Sequence, residues 1–534
     1  MPGVEKAAVI GLDGAAWHLL DPLIEKGLMP RLASLRERGA SGTLKSTVPT
    51  YTPPAWTSAA TGVNPGRHGI YGFIEGHAQH EQQLVHSGRI RSATIWEMAN
   101  AQGAKAGIYN LPLTYPPREL DGWMVSGMLT PGYGEKQQGF AYPAAVEPRI
   151  LQVAPGYVLD VHANYETDWK DAGLAKRALA SIEQRYKVLE MLVAENPVDL
   201  LFSVLEAPDR LQHVYYRYMD PRDASSSVGS SEMIDGLERC FAAMDRIVGL
   251  LDDWAGGRAV VCSDHGFTAW EVSVHLNTLL QQWGYLKIKP VAKAMQTKAA
   301  RAMVPLAKRI LPRKVARGAK EKTFGAIDWS ETRAFASPIP QQGVFVNLQG
   351  REPFGIVPPG ELESLKKELA QRFAALQGPD GKPATDRVHL SQDVFHGDAL
   401  DGAPDVLPVM RDHRFELDDE LFHTDPFTDV RELPRGVHHP DGIVIVTGPG
   451  VKAGGTVSGS VMDVTPTLLY LAGLAVPEGL DGSVLTDAFD PQALKDRPIE
   501  ATSPLSSGAG DEASPYSPEE EAIIEESLRG LGYL

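Results

Sequence analysis

Short apolar runs recur along the chain, and each gives way abruptly to Gly or to a polar residue. They include Ala7-Ala8-Val9-Ile10-Gly11-Leu12-Asp13-Gly14, Ala106 to Asn110, Asp199 to Leu205, Arg258 to Asp264 and Gly442 to Val446. Runs that are apolar at successive positions suit parallel strands covered on both faces. Between them, Asp171 to Ala194 and Met233 to Leu251 carry helical spacing. The alternation predicts an α/β fold with a doubly wound, mostly parallel central sheet and helices on both faces. Such folds bind ligands beyond the carboxyl ends of their strands, so the polar residues that end these runs are where chemistry is expected.

Two stretches break the pattern. Residues 287–322 carry twelve Lys and Arg with Glu321 as the sole acid, and Val291, Met295, Met303, Leu306 and Ile310 give partly helical spacing. A solvated helix face is the plainest reading of this segment; contact with an anionic substrate and peripheral contact with a membrane surface are the other two. Beyond Asp490 the chain turns rich in Pro, Ser and Gly, then reaches Ser517-Pro518-Glu519-Glu520, an N-cap with capping-box spacing. It predicts a short docking helix with Ile523, Ile524 and Leu528 on its apolar side. The expected organisation is a core over 1–284 and 395–490, an inserted cap over 285–394 containing the basic segment, and a linker with docking helix over 491–534.

Composition narrows the function. The 534 residues hold 51 Lys and Arg against 68 Asp and Glu, a net charge of −17, which excludes a dedicated nucleic-acid binder. With 43% hydrophobic residues the chain can bury a large core. Cys240 and Cys262 are the only cysteines, so no disulfide scaffold or cysteine zinc site organises the protein, and any metal falls to His and carboxylates. No apolar run reaches the ~18 residues of a membrane span, and no signal-peptide pattern opens the chain; a soluble, cytoplasmic protein is expected.

Several candidates end strands or open helices. Asp13 ends the first run, where an Asp before Gly also serves as a simple turn residue. Thr52, just before Pro53-Pro54, falls at or near a helix N-cap, where dipole and free amides favour an anion. Asp209 and His213 are four apart on a helix begun near Pro208, a spacing that one ion can bridge. In Ser263-Asp264-His265-Gly266 two ligand types stand together, with Gly266 able to turn the chain. His438 and His439 precede the last strong strand, while His68, in Gly66-Arg67-His68-Gly69, bonds backbone as readily as it acts. Oxygen and nitrogen donors without thiolates suit two divalent ions, zinc or manganese, roughly 4 Å apart.

In their order, from Val9-Ile10-Gly11-Leu12-Asp13-Gly14 to Asp463-Val464-Thr465-Pro466-Thr467 and Leu480-Asp481-Gly482, these landmarks resemble the alkaline phosphatase superfamily, specifically its type I phosphodiesterase/nucleotide pyrophosphatase group. The resemblance implies an alkaline-phosphatase-like core, a nucleophilic Thr52 and a phosphothreonine intermediate. It implies one ion on Asp209, His213 and His438, with His439 the lesser choice, and another on Asp13, Thr52, Asp264 and His265. Zinc is the first expectation and manganese the second. Sulfatases carry Cys or Ser where Thr52 stands and Arg where Trp56 stands, so sulfatase activity is disfavoured. Nucleotide pyrophosphatases place an Asn where this chain has Phe73, which weakens nucleotide specificity. The expectation is a phosphodiesterase acting on a small-molecule or lipid-headgroup phosphoric ester. The alternatives are a phosphomonoesterase, mutase or phosphoryl or phosphoalkyl transferase on the same core, or a binding protein that kept the fold. A monoester's extra charge calls for a further fixed cation, and no Arg beside Thr52 obviously supplies one, although Arg67 and the basic segment are candidates.

Overall fold

The computed structural model describes residues 3–76, 82–131, 138–165, 167–223, 229–290, 325–337, 343–506 and 513–530. Of the basic segment, only 287–290 lie within them. The strands that build the site are β1 (Ala7–Leu12), β2 (Ala40–Lys45), β3 (Ala106–Leu111), β4 (Gly122–Ser126), β5 (Ala141–Tyr142), β6 (Leu200–Leu205), β7 (Ala259–Cys262), β8 (Gly266–Ala269), β9 (Gly436–His439), β10 (Asp441–Thr447) and β11 (Gly455–Ser460). All but β8 and β9 form one sheet in the order β11-β2-β10-β7-β1-β6-β3-β4-β5. Its pairings are parallel except where β10 meets β2 and β7 and where β5 meets β4.

Every residue of β1 is buried, because both faces of the sheet are covered. Ala8, Ile10 and Leu12 face a layer that includes helices α2 (Gly173–Glu195) and α4 (Ser231–Trp254). Ala7 and Val9 face the opposite layer, which includes α1 (Thr52–Thr61) and α5 (Val464–Leu471). The mostly parallel, doubly wound α/β architecture read from the apolar runs is therefore the observed one. A further helix, α3 (Ala207–Met219), follows β6 directly.

Strand β2 escapes a search for apolar runs because its sequence, Ala-Ser-Gly-Thr-Leu-Lys, is largely polar. It pairs on both sides nonetheless, and a Cβ on Gly42 would stand 1.9 Å from the Val457 carbonyl oxygen of β11. Here glycine serves close backbone approach.

Hydrophobic residues between Val272 and Leu421 make a separate core. It is built on a four-stranded antiparallel sheet (Ala334–Ala336, Val344–Val346, Thr385–Leu390 and Val406–Met410) with helix Leu362–Ala374 against it. At the chain's end, α6 (Pro518–Gly530) begins at the predicted capping box: Glu520 Oε2 accepts from Ser517 N at 2.8 Å, and Ser517 Oγ accepts from Glu520 N at 3.3 Å. Ile524 and Leu528 are buried against the body, so the helix docks as its apolar side implied. Among the described residues, no helix is long and apolar enough to cross a membrane.

Candidate active site

Sheet topology gathers the candidates at one edge. Strands β7, β1 and β6 are adjacent and parallel, so their carboxyl ends lie together. Asp13 follows β1, Asp264 and His265 follow β7, and Asp209 and His213 lie in the helix after β6. Because β10 runs antiparallel to β7, its amino end reaches that same edge, and His438 arrives there just before it. Strand β2 is antiparallel to β10, so its carboxyl end also points there and leads towards Thr52. All seven residues are buried, none more than 8% exposed.

Two clusters result: Asp209, His213 and His438, and Asp13, Asp264 and His265, with the ligand-type atoms of each within 4.8 Å of one another. They adjoin, since His265 Nε2 lies 4.0 Å from Asp209 Oδ1 and the His265 and His438 rings stack with centroids 3.7 Å apart. Thr52 Oγ1 is 3.3 Å from His265 Nε2.

Each histidine turns Nδ1 to a backbone carbonyl: His213 to Gly436 at 3.1 Å, His438 to Thr50 at 3.2 Å and His265 to Gly266 at 3.1 Å. A carbonyl only accepts, so Nδ1 carries the proton and the Nε2 lone pair faces inward. His213 and His438 thus turn their Nε2 atoms towards each other across 3.0 Å. The carboxylates follow the same rule, one oxygen held and the other turned in. Trp56 Nε1 donates to Asp13 Oδ2 at 3.0 Å, Gly14 N to Asp264 Oδ1 at 3.1 Å, and the Arg210 guanidinium to Asp209 Oδ2. Asp13 Oδ1 and Asp264 Oδ2 are left without a hydrogen-bond donor. Asp209 Oδ1 lies 3.2 Å from His213 Nε2 and 3.4 Å from His438 Nε2.

Electrostatics marks the same need for positive charge. Burial, with Asp264 and Asp209 nearby, pushes the Asp13 carboxyl well up. Burial chiefly raises Asp264 to about 7. Burial also opposes ionisation of Asp209, but His213, His438 and Arg210 outweigh it and hold that carboxyl well below its usual range. His265 and His213 are depressed chiefly by burial, whereas at His438 the Asp209 carboxylate overrides burial and raises the imidazole. Inward oxygens without donors, converging lone pairs and clustered buried carboxylates are a donor set that divalent cations fit.

One local reading changes and two become finer. Gly266 does not turn the chain: it opens β8, and a Cβ there would lie 2.1 Å from the Asp441 carbonyl oxygen, so its role is close backbone approach. Thr52 is the first residue of α1 rather than its cap, which is Tyr51. Prolines 53 and 54 offer no N–H, and Ala55 N–H is spent on the Tyr51 carbonyl, so few amides face an anion there. His439 is separated from His438 by strand alternation. In the β8–β9 pair, Phe267 stands opposite His438 and Gly266 opposite His439, and His439 Nδ1 accepts instead from Asp441 N at 3.1 Å.

His68 is structural: Nδ1 accepts from Ile70 N and Nε2 meets Ser58 Oγ, and burial holds it neutral with a pKa of about 3. Phe73 packs edge-on against Tyr51, centroids 5.3 Å apart, and supplies no hydrogen-bonding group. Arg67 points to the Gly479 carbonyl and Asp481. Trp56 and Arg210, which hold two of the carboxylates, carry no signal as ligands. The four-residue spacing from Thr52 to Trp56 does place both on one face of α1.

A buried hydroxyl thus stands beside two carboxylate–imidazole clusters at the carboxyl edge of a doubly wound sheet, an arrangement with the donors of a candidate metal site. The profile of the type I phosphodiesterase/nucleotide pyrophosphatase family matches residues 7–412, and the chain belongs to that family. It is thereby an enzyme of the phosphodiesterase type, a hydrolase of phosphoric esters. Phosphonoacetate hydrolase from Sinorhizobium meliloti 1021, solved with phosphonoformate, is 17% identical, aligns over 88% of this chain and 96% of its own, and has a TM-score of 0.54. Murine ectonucleotide pyrophosphatase/phosphodiesterase 5, solved as an inactive variant with AMP, is 14% identical over 91% of this chain and 100% of its own, with a TM-score of 0.49. At 17% identity the likeness to the phosphonoacetate hydrolase is one of fold. A comparison with curated proteins gives no match.

Proposed function

We propose that this chain hydrolyses a small phosphodiester through a phosphothreonine intermediate at Thr52, with two divalent ions, zinc first and manganese second. One ion is assigned to Asp13, Thr52, Asp264 and His265, the other to Asp209, His213 and His438. The observation that carries this reading is the Thr52 hydroxyl 3.3 Å from His265 Nε2, at the meeting point of two clusters whose donor atoms turn inward. When bound, the cations supply Lewis-acid stabilisation of phosphoryl oxygens and lower the hydroxyl's pKa.

The protein's own groups do the rest. Burial of Thr52 excludes bulk water from the hydroxyl, and its Oγ1 attacks phosphorus as the first alcohol leaves. Water then cleaves the Thr52 ester and releases the phosphomonoester. A groove of about 460 Å³ reaches His438 and Thr50 and runs between Val48, Pro49, Leu407, Met410 and Phe415, space for the alcohol part of a substrate. A diester is favoured over a monoester because Arg67 is engaged by Asp481 and the Gly479 carbonyl, leaving it unavailable for the monoester's extra charge. Phe73 in place of a hydrogen-bonding residue argues against a nucleotide-type phosphoryl contact.

The test is turnover of a chromogenic phosphodiester beside its monoester by zinc- and manganese-loaded wild type and by Thr52→Ala. Thr52-dependent turnover favouring the diester is expected. Thr52-dependent turnover favouring the monoester would replace the diester reading with a monoesterase. Equal rates from Thr52→Ala would remove Thr52 as nucleophile.

A further inference from the structure

The loop 157–165 lies between the C-terminal helix α6 and the cluster of Asp209, His213 and His438, and it touches both. On its inner side Asp160 makes a two-pronged pair with Arg210: Nε to Oδ1 at 3.2 Å and Nη2 to Oδ2 at 3.0 Å. The same guanidinium, 1% exposed, holds Asp209 Oδ2 and so leaves Oδ1 facing the two imidazoles. Farther along the loop, the Tyr165 ring stacks on His213, centroids 4.8 Å apart at 26°. Two of the three ligands are therefore braced by one loop.

That loop is braced in turn by α6. The Gly530 carbonyl accepts from Tyr165 N at 3.0 Å, and Ile524 and Leu528 share a buried cluster with Leu159, Val161 and Ala163. Just before the helix, Tyr516 is buried and donates to the Leu129 carbonyl at 3.1 Å, beside Met128, whose sulfur lies 3.3 Å from Arg210 Nη2. The other cluster is held differently: Asp13 by Trp56, Asp264 by Gly14 and His265 by the Gly266 carbonyl, none of them from the loop or α6.

We propose that α6 is a strap that fixes loop 157–165 and thereby sets the metal affinity of the Asp209–His213–His438 cluster, with the Asp13–Asp264–His265 cluster outside its control. Asp160 and Arg210 are its positioning residues. A charged hydrogen-bonded neighbour that orients a ligand typically governs affinity by 10–100-fold, and a carboxylate freed from its guanidinium no longer has its lone pair aimed.

The proposal rests on the two-ion reading, and the experiment separates the two. Full-length wild type, Leu528→Glu and Asp160→Asn are loaded with zinc and dialysed against graded chelator, and retained zinc per chain is read together with circular dichroism. Wild type is expected to retain two equivalents, while both variants stay folded and shed one equivalent at about tenfold lower chelator concentration. Their turnover should return with excess zinc, a rescue that a general packing defect would not show. If wild type retains fewer than two equivalents, the two-ion reading fails and the strap with it. If wild type holds two and both folded variants hold them as tightly, or shed both together, the strap is overturned. If Leu528→Glu alone fails to fold, Asp160→Asn decides by the same criteria.

Discussion

Replacing Trp56 by Phe removes one atom that matters and little else. The indole is fully buried, and its N–H is the donor to Asp13 Oδ2, at 3.0 Å. Removing the donor to a buried acceptor that stays desolvated costs about 1–3 kcal/mol. The smaller ring also leaves a void of roughly 40 Å³, worth about 1 kcal/mol at about 24 cal/mol per Å³. The sum is about 3 kcal/mol of stability in the metal-free protein. A second effect reaches the site: with Oδ2 released, the Asp13 side chain can rotate its inward oxygen away, and affinity for one of two zinc equivalents should fall by about 10–100-fold. Urea denaturation of the chelated protein measures the first quantity, and zinc competition with a chromophoric chelator the second. Trp56→Phe that unfolds at the wild-type urea concentration and holds both equivalents as tightly would refute the claim that this contact aims Asp13.

Other expectations follow from single features. Thr52→Ala should lose turnover by roughly three orders of magnitude or more while keeping the fold, which steady-state kinetics and circular dichroism check together. Gly266→Ala drives a Cβ to 2.1 Å from the Asp441 carbonyl and should cost about 3 kcal/mol in chemical denaturation; an unchanged midpoint would show that the strands separate freely. His68 has a folded pKa of about 3 against 6.5 when unfolded, so the unfolded chain binds the extra proton as pH falls. Its contribution is intact above about pH 6.5 and lost progressively towards pH 3, roughly 3 kcal/mol by pH 4, and metal-free His68→Asn should show a correspondingly shallower acid slope. Saturating zinc should stabilise the protein by about 2.7 kcal/mol at a hundredfold excess over Kd and raise its melting temperature, with chelator reversing the shift; a melt indifferent to zinc would contradict the donor-set argument.

Much of this molecule is legible in the sequence because its physics is local. A strand covered on both faces must be apolar at successive positions, so β1, β3, β6, β7 and β10 announce themselves, and a helix facing the core on one side must repeat near 3.6, so α2 and α4 do too. The capping box at Ser517 places α6 for the same reason. The candidates were legible as residue types ending those strands, and Asp209 and His213 as a pair on one helical face. Other properties depend on long-range pairing. The polar β2 is a strand because β10 and β11 flank it. The β8–β9 register, not the His-His dipeptide, separates His438 from His439. Gly266 looked like a turn until the Asp441 carbonyl arrived against it from 175 residues away. Trp56 holds Asp13 only because sheet order brings the carboxyl ends of β2, β7, β1 and β6 and the start of β10 to a single edge, whereas Arg210 reaches Asp209 as its neighbour in the chain. The apolar strands, the periodic helices and the residue types at their ends can be read along the chain; which ends meet, and that the polar β2 joins them, is a property of the assembled sheet, because burial in one shared pocket depends on several strands at once.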